Sequence, residues 1–373
     1  MSCVLFLANH DVVIYNFRLE LVEELLKQKH KVIISCPYGE RIDGLVKLGA
    51  IHKNISINRH GMNPIHDFKL IQQYKKLIKE IKPDIIFSYT IKPNIYGAIA
   101  AKKYNVPFVA NITGLGIAFH SSSLKKALCI TLYKIAFKRI QRVFFQNLDN
   151  QQFFIKHKIA IGKHAILPGS GVNTDRYPYA SLPCHDGFLF AARIMKDKGI
   201  DLFLKAAKRL KKSYPNVDFF VCGFCDDDNY IKVLSEYEKD GIIKYYGMVK
   251  NTIDFYSKAS CVVLPSYHEG MSNTLLEAAS CGRPIITSKI PGCMETVNDE
   301  KTGFLFECGN EGDLFNKMRN FLHLSYEDKK KMGNNAREKM KNEFDRNIVV
   351  KRYMEELNSL SKGEKYETVR KNN

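Results

Sequence analysis

Two α/β domains, each a doubly wound parallel sheet covered by helices, are the fold class this sequence predicts, on three observations. Short apolar, β-branched runs without polar alternation recur along the chain, as strands buried on both faces require. Longer stretches of helical spacing separate them, which is βαβ logic. A turn-rich break, Pro168–Gly187, splits the alternation into two halves, and 373 residues suffice for two domains of ordinary size.

In the first half, Val4–Ala8, Lys31–Ser35, Ile85–Ser88, Phe108–Asn111 and Val143–Gln146 predict strands, and Phe17–Gln28, Phe68–Ile81, Pro93–Tyr104 and Leu124–Ile140 predict helices. Pro168-Gly169-Ser170-Gly171, Pro178, Pro183 and Gly187 then interrupt the rhythm with turn residues. In the second half, Phe188–Ala192, Val217–Cys222, Ile242–Tyr246, Cys261–Pro265, Pro284–Ser288 and Gly303–Phe306 predict strands. Gly199–Lys212, Asn229–Glu238, Asn273–Cys281, Asp313–His323 and Ser325–Glu343 predict helices. The expected domains are 1–170 and 175–345, followed by a helix over 346–360 that packs back towards the N-terminal domain and a polar, disordered tail over 361–373. Sheets of this kind bind ligands at the carboxyl ends of their strands, so the site is expected in a cleft that both sheets face.

No run approaches the roughly 18 uncharged apolar residues of a transmembrane helix. The start, Met1–Ala8, lacks a basic leader and is closed by Asn9-His10-Asp11, which favours a buried first strand over a signal peptide. Ten cysteines without such a signal suggest reduced thiols and a cytoplasmic protein. Cys222-Gly223-Phe224-Cys225 has no second pair to complete a zinc site and is read as two thiols at a strand end. Charge is uneven. Residues 1–170 carry 25 Lys and Arg against 10 Asp and Glu, whereas residues 171–373 carry 32 against 29. A basic N-terminal half implies an anionic partner, nucleic acid or lipid.

The densest signal runs from Pro265 to Pro284. Glu269 lies on a loop after an apolar strand, and Glu277 follows eight residues later inside an amphipathic helix. Gly270 permits close backbone approach by a ligand. The amides of Asn273–Leu276 stand at a helix start, which favours a phosphate. Glu277 is placed to accept from a ribose diol and Glu269 from sugar hydroxyls. The plain alternative is a capped helix with ordinary acidic residues.

The whole segment resembles the E-x7-E signature of retaining glycosyltransferases of family 4, which have the GT-B fold. Ile285–Ser288, Pro291-Gly292-Cys293-Met294-Glu295 and Gly303-Phe304-Leu305 follow in the family's order. The similarity extends over nearly the whole chain and is most specific from Phe188 to Phe306. It implies two Rossmann-like domains, a nucleotide-sugar donor and no metal or other cofactor. In Ala191-Ala192-Arg193-Ile194-Met195-Lys196-Asp197-Lys198-Gly199, it gives Arg193 and Lys198 the grip on the donor diphosphate, leaving Lys196 a solvated charge. An arginine fork and a lysine point charge suit phosphate and stabilise a departing nucleoside diphosphate. Glu269 joins them as the group orienting the sugar. Gly270, Met271, Ser272, Asn273, Thr274 and Glu277 complete the donor contacts, with Met248 and Val249 beside the base, where core packing competes. In Asn111-Ile112-Thr113-Gly114-Leu115-Gly116, Thr113, Gly114 and Gly116 are expected near the transferred sugar. Thr113 stands where many relatives carry a histidine, and His120 is read as a loop residue.

Asn9–Arg18 replaces the glycine-rich loop of many relatives. Together with Tyr89-Thr90-Ile91-Lys92-Pro93-Asn94 it resembles the subgroup that builds capsule, O-antigen and protein-glycan precursors on polyprenyl diphosphate. Arg18 and Lys92 are therefore expected acceptor-side contacts, with a structural role as the alternative. Asp226-Asp227-Asp228 is read as a helix start, not a metal site.

Leu124–Arg142 carries six cations and no acid beside Leu128, Ile130, Leu132, Tyr133, Ile135, Phe137 and Ile140, and Phe68–Lys82 is lysine-rich. Together with the basic domain they favour contact with an anionic membrane, peripheral on its inner face. Two other functions compete. A UDP-sugar 2-epimerase of the same fold would need acidic and histidine catalysts and no acceptor. A nucleic-acid-binding protein would need a stacking platform or reading helix, and neither is evident. The expected chemistry is front-face transfer, in which the leaving phosphate takes the acceptor proton.

Overall fold

The computed structural model describes residues 1–58, 63–114 and 123–361. The chain divides into two units, 1–170 with 347–373, and 171–346.

In the first unit β1 (Cys3–Leu7), β2 (Lys31–Cys36), β4 (Ile85–Tyr89), β5 (Phe108–Ile112) and β6 (Arg142–Phe145) are joined at the edges by β3 (Ile51–Asn54) and β7 (His164–Ile166). The sheet is parallel, in the order β3-β2-β1-β4-β5-β6-β7. Period two decides what each strand residue covers. Leu5, Leu7, Ile86 and Ala110 face α4 (Pro64–Ile81), α5 (Ala98–Lys103), α6 (Ser123–Ala136) and α7 (Leu148–Lys156). Val4, Phe6, Phe87 and Val109 face α1 (Asp11–Phe17), α2 (Leu19–Lys27), α3 (Ile42–Lys47) and the last helix, Arg346–Ser361, through Val349, Val350, Tyr353, Met354 and Leu357. The strand order turns back at β1 and β4, the switch point where such sheets take ligands.

Local chemistry explains the departures from the sequence reading. The loop expected over residues 9–18 contains a helix. The His10 side chain accepts from the Val12 amide and caps it, Asp11 sits in its first turn, and the chain breaks at Arg18 before α2 begins. β3 and β7 escaped the sequence reading because both are short, half-exposed edge strands. Ahead of α5, the turn Pro93–Gly97 is wound as a π-helix.

In the second unit β8 (Gly187–Ala191), β9 (Asp218–Cys222), β10 (Lys244–Tyr245), β11 (Cys261–Leu264), β12 (Ile285–Ser288) and β13 (Gly303–Phe306) form a parallel sheet, ordered β10-β9-β8-β11-β12-β13. Its switch point lies between β8 and β11. One face is covered by α8 (Ile200–Ser213) and α9 (Asp228–Lys239), the other by α10 (Ile253–Lys258). α11 (Asn273–Ser280), α12 (Glu311–His323) and α13 (Tyr326–Glu343) complete the unit. Buried Arg283 donates to the carbonyls of Ala259 at 3.1 Å and Ser181 at 3.0 Å, and to those of Ala180 and Cys281, pinning the segment before β8 to the turn after α11.

Candidate functional site

Four loops at the carboxyl ends of the second sheet are sewn together by backbone. Gly199 ends the loop after β8 at φ +74°, and a Cβ there would lie 1.9 Å from the Pro265 carbonyl oxygen. The Tyr267 amide donates to the Asp197 carbonyl at 2.9 Å. Gly223, after β9, leaves no room for a Cβ, which would lie 1.7 Å from the Ala192 oxygen. After β12, the Gly292 carbonyl accepts from the Ser272 amide at 2.9 Å.

This frame brings Lys198 and Glu269 together from loops seventy residues apart. Lys198 Nζ donates to Glu269 Oε1 at 2.6 Å, and the buried Ser266 hydroxyl donates to the same oxygen at 3.0 Å. Both side chains of the pair keep some exposure, 21% and 11%, so the pair is open to a ligand while part of its solvation is already lost. Arg193 is exposed on the same β8 loop and makes no hydrogen bond or ion pair among the described residues. The Thr274 hydroxyl donates to the Ala191 carbonyl at 3.0 Å, holding the first turn of α11 against the end of β8. No side chain caps α11 at Ser272, so its first amides and the positive end of its dipole remain for an anion.

Glu277 lies at the fifth position of α11, half-buried. Tyr256 OH donates to its Oε2 at 3.0 Å. Burial raises the Glu277 pKa above the usual carboxylate value, against the hydroxyls of Tyr177 and Tyr256 and the charges of Arg346 and Arg176, which favour the ionised form. Met271 and Ser272 are buried, Met271 within the main core cluster, so their contribution to a ligand is restricted to backbone. Met248 is 73% exposed, while Val249 packs against a small core cluster with Phe255 and Tyr177. The Asp227 carboxylate caps α9 by accepting from the Asn229 amide at 2.9 Å, which explains the aspartate triplet. Cys222 and Cys225 are free thiols, and burial pushes Cys222 up to about 12, far from a metal-binding thiolate at neutral pH. No cluster of three or more His, Cys, Asp or Glu suited to a metal occurs among the described residues.

In the first unit the two acceptor-side candidates part ways. Arg18 is 2% exposed. Its Nε donates to Tyr353 OH at 3.3 Å, and its guanidinium lies 4.9 Å from the ring centre of Tyr89 and 5.5 Å from that of Tyr353. Tyr353 OH in turn donates to Asn111 Oδ1, and Asn111 Nδ2 donates to the Ser88 carbonyl. This corrects the sequence reading of Arg18: packing in the aromatic cluster that docks the last helix takes it away from any surface contact. Lys92 stays at the rim. Its Nζ donates to Asp67 Oδ1 at 2.8 Å, and it lines two hollows of about 290 and 140 Å³, with Ile57, Ser56 and His66 in the larger and Asn9, Thr90 and Ile91 in the smaller. Thr90 takes φ +71°, a strained setting for a β-branched residue. Thr113 and Gly114 follow β5 half-exposed, and among the described residues no heavy atom lies within 4 Å of a Cβ placed on Gly114. Gly116 and His120 lie outside the described residues.

Of the membrane-facing candidates, Leu124 (81%), Phe68 (61%), Leu128 and Ile135 are exposed, while Tyr133, Phe137 and Ile140 pack in the core. No helix among the described residues is long and apolar enough to cross a membrane.

Sequence spacing did not single out Ser266, Tyr177, Tyr256 or Arg283. Tyr177 stands 100 residues before Glu277, and no local pattern connects the two.

Comparison with known proteins matches residues 3–147 to the family model "Glycosyl transferase 4-like" and residues 186–339 to "Glycosyl transferases group 1". The chain is 30% identical over 85% of its length, and 84% of the relative's, to the UDP-Gal:alpha-D-GlcNAc-diphosphoundecaprenol alpha-1,3-galactosyltransferase of Escherichia coli. It is 27% identical, over 94% of its length and 96% of the relative's, to the N,N'-diacetylbacillosaminyl-diphospho-undecaprenol alpha-1,3-N-acetylgalactosaminyltransferase of Campylobacter jejuni. Among solved structures, an Anabaena protein, HepE, crystallised with UDP and glucose, shares the fold at a TM-score of 0.80 with 18% identity, covering 96% of this chain and all of that one.

Proposed function

Because the chain belongs to the glycosyltransferase family that these two models and the E. coli relative define, we propose that it moves a hexose or N-acetylhexosamine from a UDP-sugar to a polyprenyl-diphosphate-linked saccharide. The configuration at the anomeric carbon is retained, no metal takes part, and the product is a precursor of surface polysaccharide or glycoprotein. Membership makes the chain a glycosyltransferase, the reading weighed above against an epimerase and a nucleic-acid-binding protein.

One observation carries the donor half of this reading. Lys198 is paired with Glu269 across two loops at the carboxyl end of the second sheet, the Thr274 hydroxyl ties the uncapped start of α11 to the end of β8, and exposed Arg193 stands on the loop that leaves β8 at the switch point. A sugar diphosphate has the complementary parts. Its phosphates suit Arg193, Lys198 and the α11 amides, its sugar hydroxyls suit Glu269, and its ribose diol suits Glu277. Arg193 and Lys198 supply the fixed positive charge that a divalent ion supplies in metal-dependent transferases. In the transfer, the bond from the anomeric carbon to the phosphate oxygen breaks, and the acceptor oxygen bonds to the same face of that carbon. The acceptor proton passes to the leaving phosphate, so Glu269 orients and does not attack. The lipid-linked acceptor is supported by what the two named relatives use, and Lys92 and its hollows are the first unit's contribution to holding it. Leu124, Phe68 and the lysines around them supply an apolar and basic face suited to an anionic membrane.

Replacing Lys198 or Arg193 with alanine is expected to lower kcat by about 10²–10³-fold in an assay of UDP release with acceptor, as the loss of one preorganised charge contact does. Activity is expected to persist in EDTA. Near-normal turnover in both variants overturns the donor site, and complete loss in EDTA overturns the metal-free chemistry.

A further inference from the structure

Glu277 is not simply a carboxylate at the rim of a pocket. Its surroundings come from three separate segments. Tyr256, fully buried on α10, donates to Oε2 at 3.0 Å. The Tyr177 hydroxyl faces the same carboxylate from the segment that enters the unit at Gly171. Thr252, at the start of α10, lies beside both tyrosine hydroxyls. Arg176 and Arg346 add positive charge without taking the place of either hydroxyl.

Tyr177 is held as firmly as a strand residue although it lies in a connecting segment. Its amide donates to the Asn173 carbonyl at 3.0 Å. Its own carbonyl accepts from the Ser280 hydroxyl at 2.8 Å and from Arg337 at 3.1 Å. Ser280 is on the same helix as Glu277, so the Tyr177 backbone is bound to α11 while its hydroxyl faces the Glu277 carboxylate. The segment starts beside the returning chain, where the Val172 amide donates to the Phe344 carbonyl at 2.8 Å and the Arg346 amide to the Val172 carbonyl at 2.9 Å. Gly171, at φ +68°, allows that crossing, since a Cβ there would stand 2.8 Å from Arg346 Cα.

We propose that Tyr177 and Tyr256 are positioning residues for nucleotide recognition: they hold the Glu277 carboxylate in one orientation and leave its remaining lone pairs to a ribose diol. This rests on the assignment of Glu277 to the ribose. A carboxylate accepts at about four lone-pair sites. The Tyr256 hydroxyl occupies one site on the protein side and the Tyr177 hydroxyl lies against the same carboxylate, and a vicinal diol is the bidentate partner for the sites that remain. The reading makes ribose against deoxyribose discrimination a property of three side chains, of which only Glu277 touches the ligand. A free carboxylate on one helix would instead have to be ordered by the nucleotide itself, at the cost of its rotamer entropy.

The test is titration of the full chain with UDP and with 2′-deoxy-UDP by calorimetry, alongside donor kinetics. Tyr256→Phe and Tyr177→Phe are each expected to weaken UDP about five- to tenfold, the scale of one ordinary hydrogen bond. Each should weaken 2′-deoxy-UDP less, so that the ratio of the two dissociation constants shrinks. KM for the donor should rise while kcat at saturating donor changes less than twofold. In a Glu277→Gln background neither phenylalanine should have a further effect. If Glu277→Gln leaves the ratio intact, the ribose assignment fails and takes the proposal with it. If Glu277→Gln collapses the ratio while both phenylalanine variants keep it, the assignment stands and the positioning role is overturned. Should Tyr256→Phe lose its thermal transition, Tyr177→Phe, nearer the surface, decides the matter alone.

Discussion

The carboxyl ends of the two sheets invite direct comparison, because each unit reverses its strand order once and each places a partly buried lysine–carboxylate pair beside the reversal. In the first unit the pair is Lys92 with Asp67 at 2.8 Å, in the second Lys198 with Glu269 at 2.6 Å. The pairs differ little in exposure. Their surroundings separate them. Beside Lys198 stand Arg193, unpaired among the described residues, and a helix start that no side chain caps. Beside Lys92 the next helical turn opens with Pro93, which has no amide proton to offer, and Arg18, the other acceptor-side candidate, is sunk in an aromatic cage. A lysine held by its own carboxylate makes a weak anion site. An additional cation and open amides are what a diphosphate cradle needs, and among the described residues it is the second unit that has both.

The largest expected effect tests that contrast directly. Lys198→Ala should cost about 10²–10³-fold in kcat. Lys92→Ala should instead raise KM for the acceptor by about tenfold, the scale of one charge-assisted contact, and leave KM for the donor unchanged. Steady-state kinetics with each substrate varied in turn reads both. A donor KM that moves equally in the two variants would erase the distinction between the units.

Backbone closeness gives the next effect. Gly199→Ala would drive a Cβ to 1.9 Å from the Pro265 oxygen at a positive φ, so the loops bearing Lys198 and Glu269 must separate. A stability loss of about 2–4 kcal/mol is expected in chemical denaturation. The contrasting control is Gly114→Ala at the end of β5. There φ is also positive but no heavy atom of the described residues lies within 4 Å, so a backbone cost of about 1 kcal/mol is expected. Equal losses in the two variants would show that the tight meeting of loops in the second unit is not what holds its site.

How far the sequence disclosed these features follows the same division. In the second unit the chemistry is local. Arg193 and Lys198 lie within six residues after one strand and Glu269 to Glu277 within nine after another, so spacing along the chain reports spacing in space. The buried strands of both sheets were legible for a similar reason: continuous Val, Ile, Phe and Leu leave few alternatives in a chain this long. What escaped was long-range or weakly patterned. β3 and β7 are half-polar edges. α1 is defined by a histidine cap, and at seven residues it is too short to show periodicity. Arg18 read as a ligand contact because an arginine after a strand–loop element looks the same in sequence whether it meets phosphate or, as here, the hydroxyl of a tyrosine 335 residues away. Tyr177 and Tyr256 resemble core aromatics in any window, and only the fold directs their hydroxyls to Glu277.

The smallest expected effect has the least familiar sign. Burial raises the Glu277 pKa above the 4.5 of an ordinary glutamate, so the folded chain holds that proton more tightly than the unfolded chain does. Stability from this group is therefore fully present at pH below 4.5 and is lost as pH rises through the folded value. Above that folded value the ionised carboxylate is a net cost to stability. Glu277→Gln keeps the shape and an acceptor oxygen for Tyr256 while removing the charge. It should raise the thermal midpoint at pH 7.5 by about 1–3 °C, given that 1 kcal/mol shifts a unit of this size by about 2–4 °C, and the difference should close near pH 4, where both side chains are neutral. The same variant should bind UDP more weakly. A midpoint that falls at pH 7.5, and falls equally at pH 4, would mean that Glu277 serves the packing of its unit, and the second site would then resemble the first, with its charges committed to structure before any ligand arrives.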